Sequence, residues 1–547
     1  MLHLLIFLAG VLLALYFYYR LNDQGLSQLP PEATTFAPNR FTPRVVIEAA
    51  ETLSSSPKLV KNVLPVKTGR RYIVVGGVNN LMDVSCFDAD AYITQAGFLG
   101  GWIVLQLLQR GEDPKRIRVL DIRPPTRRDL LTGLAARVAF LQVDISNAKA
   151  VDDAFRASWP DFDPSDPAPE ITVFHTAASI RFYERHLALL SRSSKVNHEG
   201  TRNVINAARS MGVTVLIYTS SGSISVRRTR FWLWPWETQP NYFVQVINDD
   251  DNLIPKHHDH FFSNYAASKV LGEREVRAAD GTRSGEATLR TGCIRPGNGV
   301  FGPGGDMMCG ACLVRKHNPT WVGNIMQSLV YVENCALAHL CYEACLIDTA
   351  RGGRSADIGG QAFTITDTGP PVTFNDVYVA LTTLDRDTTF THASPTLMLF
   401  ISHIIEILYL SRTFLSMSSL PLGRALAHLI PTIGGDLVNL QPPLFALTSV
   451  HLIFDDSRAR LPPEKGGLGY NGPFTTLEGI CKTVAEHLKA GGTVEEGSRS
   501  HAGGVSFSFS RLRKAPKEMH MVEKTVSERL HVEAVDVLRL TDTHMTS

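Results

Sequence analysis

Two fragments that read as one motif stand eighteen residues apart in this chain. Residues 71–77 are RYIVVGG, a short apolar run ending in paired glycines, and residues 96–101 are AGFLGG, opening a stretch with helical spacing at Phe98, Trp102, Leu105 and Leu108. Closing the gap from Val78 to Gln95 gives VVGGAGFLGGW, a buried strand, a glycine-rich turn and a helix. Few folds use such a turn. Its glycines let the backbone approach a pyrophosphate, and the helix N-terminus offers that anion unpaired N–H groups.

The second strand is IRVLDIR (117–123), and Asp121 at its end lies 21 residues beyond Gly100. A carboxylate there accepts hydrogen bonds from ribose hydroxyls and repels a 2′-phosphate, which favours NAD, while Arg123, Arg127 and Arg128 keep NADP open. Further strands are expected at 137–145, 171–178, 213–221 and 287–296, with a helix at 195–212 that closes at Gly212. Strands alternating with helices predict a Rossmann-like doubly wound parallel α/β sheet over residues 69–296. A smaller C-terminal substrate-binding lobe follows over 297–490.

The strand VTVLIYTSS ends in Ser220 and Ser221, and NYAASK places Tyr265 and Lys269 four apart on one helix face. A phenol titrates near about 10 in water, so Tyr265 serves as a base near neutrality only if a cation stabilises the phenolate. Lys269 supplies that cation, and Ser221 holds the substrate oxygen. YxxxK alone is common on solvated helices. Behind a glycine turn, a strand-end Asp and a strand-end TSS it acquires meaning.

On these residues the chain resembles the extended short-chain dehydrogenase/reductase superfamily, and within it the 3β-hydroxysteroid dehydrogenase/isomerase family. It is most similar to the sterol-4α-carboxylate 3-dehydrogenase (decarboxylating) branch. The segments that carry the resemblance are GG…AGFLGG, VLDIR, VDI, VFHTAA, VNHEGTRNVI, YTSS, YAASK, IRPGNGVFGPGG and LVYVENCALAHL. The resemblance implies Gly76, Gly77, Gly97, Phe98, Leu99 and Gly100 at the pyrophosphate and Asp121 at the adenosine ribose. It places Asp144 and Ile145 beside adenine, Ala177 and Ala178 along the cofactor, and Pro296 at the nicotinamide. Ser221, Tyr265 and Lys269 would be catalytic, Tyr265 and Lys269 also meeting the cofactor, with Asn197 supporting the proton relay. The implied substrate is a sterol or steroid whose 3β-alcohol becomes a ketone, after which a C4 carboxylate is β to a carbonyl and leaves as CO₂. The enzyme alternative is another extended reductase, of flavonol- or aldehyde-type substrates. The non-enzyme alternative is an NAD-sensing regulator without turnover.

Lys and Arg number 54 against 53 Asp and Glu, so no net field draws the chain to nucleic acid. Eight cysteines are scattered through apolar sequence, unlike a disulfide-stapled secreted fold. Cys309 and Cys312 have no second CxxC, and His257, His258 and His260 lack a distant fourth ligand, so no metal is expected.

Leu4 to Tyr19 carries no charge, ends in aromatics and is followed by Arg20, Arg40, Arg44, Lys58 and Lys61. This predicts a single-pass anchor over residues 1–20 with the body in the cytosol, and the sterol resemblance places it in the endoplasmic reticulum membrane beside other sterol-pathway enzymes. Residues 21–68 read as a linker. TLMLFISHIIEILYL (396–410) is amphipathic and suits either a membrane-dipping helix or a core helix. FWLWPWE (231–237) is open between lid, membrane contact and packing. Residues 491–547 lose periodicity and read as a disordered tail. Val78 to Gln95 is eighteen residues, hence 54 nucleotides in frame; Val78 is encoded GTN, and Gln95 can be CAG. We read it as a retained-intron insert, with a regulatory loop as the alternative. A longer surface loop costs only about 0.6 kcal/mol per doubling of length, so the fold tolerates it.

Overall fold

The computed structural model describes residues 1–76, 96–160 and 169–491, and the backbone of 506–508. Gly77, the interposed segment 78–95 and nearly all of the tail therefore lie outside the described residues. The chain divides into two compact units, Met1–Glu406 with Gly434–Val505, and Ile407–Ile433 with Ser506–Ser547.

The elements that position the site are, in chain order, α1 (Leu2–Ser27), α2 (Pro43–Ser55), β1 (Arg71–Val75), α3 (Ala96–Gln109), β2 (Ile117–Asp121), β3 (Ala139–Gln142) and α4 (Ala148–Arg156). They continue with β4 (Ile171–His175), α5 (Thr201–Ser210), β5 (Val215–Thr219), β6 (Val244–Ile247), α6 (Asn264–Ala278), β7 (Ala287–Pro296) and α7 (Val332–Ala350). The last are β8 (Ala362–Ile365), α8 (Phe374–Leu384), α9 (Pro395–Ser416), α10 (Pro442–Thr448), β9 (His451–Phe454) and α11 (Thr476–Lys489).

The main sheet runs β3-β2-β1-β4-β5-β7-β8, and each of these pairings is parallel. The strand order reverses between β1 and β4, which opens a crevice at their carboxyl ends. Both faces are covered. Tyr72 and Val74 point into one core with Phe98, Ile103 and Leu340, while Ile73 and Val75 point into the other with Val151, Val204 and Val276. Two buried faces explain why β1 reads as an unbroken apolar run. The second, smaller sheet joins Val372–Thr373, Met326–Gln327, β9 and β6.

β1 and β7 have the bounds that the sequence suggests. β3 is shorter than 137–145, because Ala135–Arg137 forms a tight helical turn before it. The expected helix 195–212 is a π-helical turn, Lys195–Gly200, running into α5, with Gly212 at φ +73° beyond its end.

Residues 21–68 hold more structure than a linker. Thr42 caps α2, accepting a hydrogen bond from Val45 N at 3.4 Å, and Val46 and Val60 are buried in the main core. Arg40 pairs with Asp376 at 2.7 Å, tying this segment to α8. α1 is also longer than the expected 1–20. Residues 1–17 are exposed, whereas Asn22, Gly25 and Leu26 are buried. Asn22 accepts from Leu233 N at 2.9 Å and donates to Thr396 Oγ1 at 3.1 Å, which seats the end of α1 against the tryptophan segment and the start of α9.

Candidate active site

β5 delivers its terminal Thr219, then Ser220 and Ser221, into the crevice. Ser221 caps a short turn, Gly222–Ser225, accepting from Ser223 N at 3.2 Å, and its Oγ lies 2.7 Å from Ser223 Oγ. Gly222 is required there. A Cβ would stand 2.5 Å from the Phe454 ring and 2.8 Å from the Pro296 carbonyl, so only glycine lets the serine turn lie against β7 and β9.

Helix α6 brings the second half of the site. Ser263 caps it by accepting from Ala266 N at 3.3 Å, and Asn264 anchors its first turn by donating to His186 O at 2.9 Å. Tyr265 and Lys269 follow one turn apart, both buried. Burial pushes the Tyr265 phenol up to about 12, opposed by a hydrogen bond with Ser221. Burial also pushes the Lys269 ammonium down to about 7, opposed by Cys293 and Glu273. Lys269 Nζ donates to Thr219 O at 2.6 Å and sits 4.2 Å above the Tyr218 ring. Thr219 Oγ1 is 2.7 Å from His339 Nε2, and His339 Nδ1 is 2.8 Å from Cys335 O. A carbonyl can only accept, so Nδ1 carries the proton and Nε2 accepts from the threonine.

One cavity of about 900 Å³ collects Ser221, Tyr265, Lys269, Phe98, Leu99, Ala178 and Pro296. That is toward the upper end of small-molecule sites, about 300–1,000 Å³. Its wall is mostly apolar, including Leu329, Leu444 and Leu447, with Ser223, Asn298 and Thr320 among its polar members. Ser220 Oγ is buried on the cavity wall with no hydrogen-bond partner among the described residues, whereas it is Ser221 that opposes the upward shift of the Tyr265 phenol.

The other expected site residues lie along the carboxyl edge of the sheet. Gly76 adopts φ +88°, a left-handed backbone that favours glycine, and its carbonyl accepts from Thr176 Oγ1 at 2.8 Å. Gly97 and Gly100 lie in the first turns of α3, and Asp121 is buried at the end of β2. This strand, left-handed glycine, helix N-terminus and strand-end carboxylate fit a dinucleotide. Asp144 accepts from Ser146 N and Ser146 Oγ, both at 2.9 Å, and Ile145 O accepts from Asn203 Nδ2 at 2.9 Å, so both residues shape the turn after β3. Ala177 follows β4, its N–H donating to Val75 O at 3.0 Å. Asn197 sits in the π turn. It accepts from Ser179 N at 2.7 Å and donates to Ser179 O and Ser268 Oγ, both at 2.9 Å, bracing the loop after β4 against α6.

The sequence reading missed Ser223 and His339. TSSGS hints at the first, because a tight turn folds its serines together. His339 comes from α7, 120 residues after Thr219, and nothing local reports that contact. Among the described residues no group of three His, Cys, Asp or Glu side chains could hold a metal. His258 Nε2 instead lies 2.8 Å from Asn264 Oδ1.

A doubly wound parallel sheet with this crevice, serine turn and Tyr–Lys helix defines an oxidoreductase of the extended short-chain dehydrogenase/reductase type. The profile of the 3-beta hydroxysteroid dehydrogenase/isomerase family matches residues 92–390, and the chain belongs to that family. Its relatives include 3beta-hydroxysteroid-dehydrogenase/decarboxylase isoform 1 of Arabidopsis thaliana, 29% identical over 392 residues, which cover 68% of this chain and 74% of that one. The sterol-4-alpha-carboxylate 3-dehydrogenase, decarboxylating, of Candida albicans is 26% identical over 283 residues, 50% of this chain and 69% of the relative. Human 3 beta-hydroxysteroid dehydrogenase type 7 is 29% identical over 287 residues, covering 51% and 68%. Among solved structures, UDP-glucose 4-epimerase of Thermotoga maritima aligns over 77% of this chain and 99% of its own with a TM-score of 0.46 and 17% identity.

Proposed function

We propose that the protein is an NAD-dependent 3β-hydroxysterol dehydrogenase that oxidises a sterol carrying a C4 carboxylate and releases that carboxylate as CO₂. The observation that carries this reading is the meeting of Ser221, Tyr265 and Lys269 on the wall of one large, mostly apolar cavity. A rigid tetracyclic substrate suits such a wall. The family's name and those of the relatives point to the 3β-hydroxyl, and the decarboxylases among them to the carboxylate.

Gly76, Gly97 and Asp121 would hold NAD⁺, which would supply the acceptor for the hydride that leaves C3. The buried Asp121 carboxylate disfavours a 2′-phosphate, which selects NAD over NADP. Ser221 holds the 3β-oxygen by hydrogen bonding, and Tyr265 removes its proton. Burial opposes both the Tyr265 anion and the Lys269 cation; the Ser221 hydrogen bond favours the anion, and Cys293 and Glu273 favour the cation. Thr219 O aims Lys269, and Asn197 holds the loop against α6. Once C3 is a ketone, the C4–CO₂ bond is β to a carbonyl, and its electrons pass into an enolate that is then protonated.

Residues 1–17 of α1, exposed and apolar, anchor the enzyme in the endoplasmic reticulum membrane, where its sterol dissolves. The test is NADH formation by the full chain in detergent with a 4α-carboxysterol, with CO₂ measured in parallel. Equal yields of NADH and CO₂, lost in Tyr265→Phe, are expected. Turnover of flavonol- or aldehyde-type substrates in place of sterols would overturn the reading.

A further inference from the structure

A second cavity, of about 650 Å³, lies on the far side of α10 from the sterol-type cavity. α10 is their shared wall. Leu444 and Leu447 face the first cavity, Pro443 and Ala446 the second, and the Phe445 ring stands 5.7 Å from both Trp321 and Phe231.

Four arginines line this second cavity, Arg185, Arg227, Arg228 and Arg230. Two are neutralised. Arg185 makes a bidentate pair with Glu406, both contacts at 2.6 Å, and Arg230 pairs with Glu237, one contact being 2.7 Å. Arg227 and Arg228 make no ion pair with a carboxylate among the described residues. The remaining acid on the wall, Asp259, has its carboxylate 3.7 Å from His258, and only its backbone carbonyl accepts from Arg228 Nη1, at 3.4 Å. Burial and the Arg185 charge disfavour the Arg228 cation, Glu406 and Asp259 oppose them without pairing directly with it, and an anion bound between Arg227 and Arg228 would favour both cations.

The backbone holds these two arginines in place. Arg228 N donates to His260 O at 3.2 Å, Arg227 bridges Phe261 in antiparallel fashion, and Arg227 N donates to Gln245 Oε1 at 2.9 Å. The Arg227 guanidinium lies 5.3 Å over the ring of Tyr242, which adopts φ +54°, a strained conformation for a residue with a side chain. Strain of this kind persists where the surrounding structure enforces it, and it clusters at ligand clamps.

The floor is different in character. Phe231, Phe262 and Leu399 make it apolar, and the cavity is far larger than a phosphate ion needs. The same strand of chain then runs into the socket of α1, where Leu233 O accepts from Tyr18 at 3.0 Å and Leu233 N donates to Asn22. Just beyond, Trp234 and Trp236 stack 5.4 Å apart and are 54% and 75% exposed. Exposed tryptophans beside an apolar helix mark the level of a membrane interface.

We propose that this cavity binds the phosphate headgroup of an anionic membrane lipid, with Arg227 and Arg228 clamping the phosphate and the apolar floor receiving the glycerol and acyl portion. Guanidinium forks match phosphate oxygens two at a time, and basic pockets at the membrane surface select anionic headgroups. The membrane-facing direction rests on the reading of α1 as an anchor; the binding site itself does not.

The experiment uses the full chain in a non-ionic detergent, titrated calorimetrically with dihexanoyl phosphatidic acid, dihexanoyl phosphatidylcholine and inorganic phosphate. Phosphatidic acid is expected to bind at least tenfold more tightly than either of the others. Arg227→Ala/Arg228→Ala should weaken it at least tenfold, while Arg283→Ala/Lys465→Ala, which removes the same charge from another exposed surface, leaves it unchanged. Both variants alter exposed side chains, and unchanged NADH formation reports that they fold. Equal binding of phosphatidic acid and inorganic phosphate would replace the lipid with a soluble phosphate and overturn the proposal, as would an affinity indifferent to the arginines. Vesicle association of the chain tests the α1 anchor separately.

Discussion

Gly272 passes so close to Asn197 that a Cβ added to the glycine would stand 2.2 Å from the Asn197 carbonyl oxygen and 2.9 Å from the Tyr218 hydroxyl. α6 therefore lies against the π turn and β5 only because residue 272 has no side chain. Tyr265 and Lys269 ride on the same helix. Gly272→Ala should push α6 away from β5, destabilising the fold by about 1–3 kcal/mol as overpacking does. It should also lower kcat at least tenfold, with a smaller change in KM, because a small misplacement of catalytic groups is expensive. Steady-state kinetics beside denaturant unfolding checks this; an alanine variant with wild-type kcat would show that α6 has room to spare.

The Tyr265 phenol, pushed up by burial to about 12, must lose its proton to act as a base. Sterol oxidation should therefore rise with pH across the neutral and mildly alkaline range. Tyr265→Phe should cost about 10²–10⁴-fold, the usual worth of a positioned base. Lys269, held down by burial to about 7, loses its charge within that range, so Lys269→Met should alter the rate mainly below about pH 7, whereas loss of a merely structural lysine would lower the rate alike at every pH. The pH dependence of NADH formation separates the two.

His339 is buried and held below its ordinary value, at about 4, because burial disfavours the imidazolium; His175 is pushed to about 3 by burial and then by the Lys269 charge. Between the unfolded value of about 6.5 and these folded values, the unfolded chain binds more protons than the native one. Stability should therefore fall as pH drops from about 6.5 toward 4. Below their folded values both groups are protonated in either state and the penalty is complete. His339→Gln cannot titrate and should flatten part of that slope in chemical unfolding measured at successive pH values. An unchanged slope would assign the acid sensitivity to other groups.

What the sequence made legible follows from range. β1 is an apolar run buried on both faces and followed by a glycine turn, so local pattern decides its limits. Tyr265 and Lys269 are one helical turn apart, and Ser221 ends a strand, so their meeting in one cavity could be anticipated. The helices within 21–68 were hidden because PPEATTFAPNRFTP resembles a linker, while the contacts that fold it, such as Arg40 with Asp376, lie 336 residues away. The Thr219–His339 bond and the α10 wall were hidden for the same reason. The tryptophan segment was ambiguous because its neighbour, the end of α1, is more than two hundred residues earlier in the chain.

The interposed segment gives a prediction that rests on its flanks. β1 ends at Val75, the left-handed Gly76 follows, and α3 begins at Ala96. The family match begins at residue 92, beyond β1 and inside the segment. Removing Val78 to Gln95 joins Gly77 to Ala96 and restores a continuous glycine turn between strand and helix, the form that presents N–H groups to a pyrophosphate. The shortened chain should bind NAD⁺ more tightly than the chain as it stands, measured by fluorescence titration of both full-length forms in detergent. Lengthening a loop costs only about 0.6 kcal/mol per doubling, so the two forms should unfold at similar denaturant concentrations. Equal affinity would mean that the eighteen residues leave the phosphate cradle intact, and the segment would then be a regulatory loop of the working enzyme.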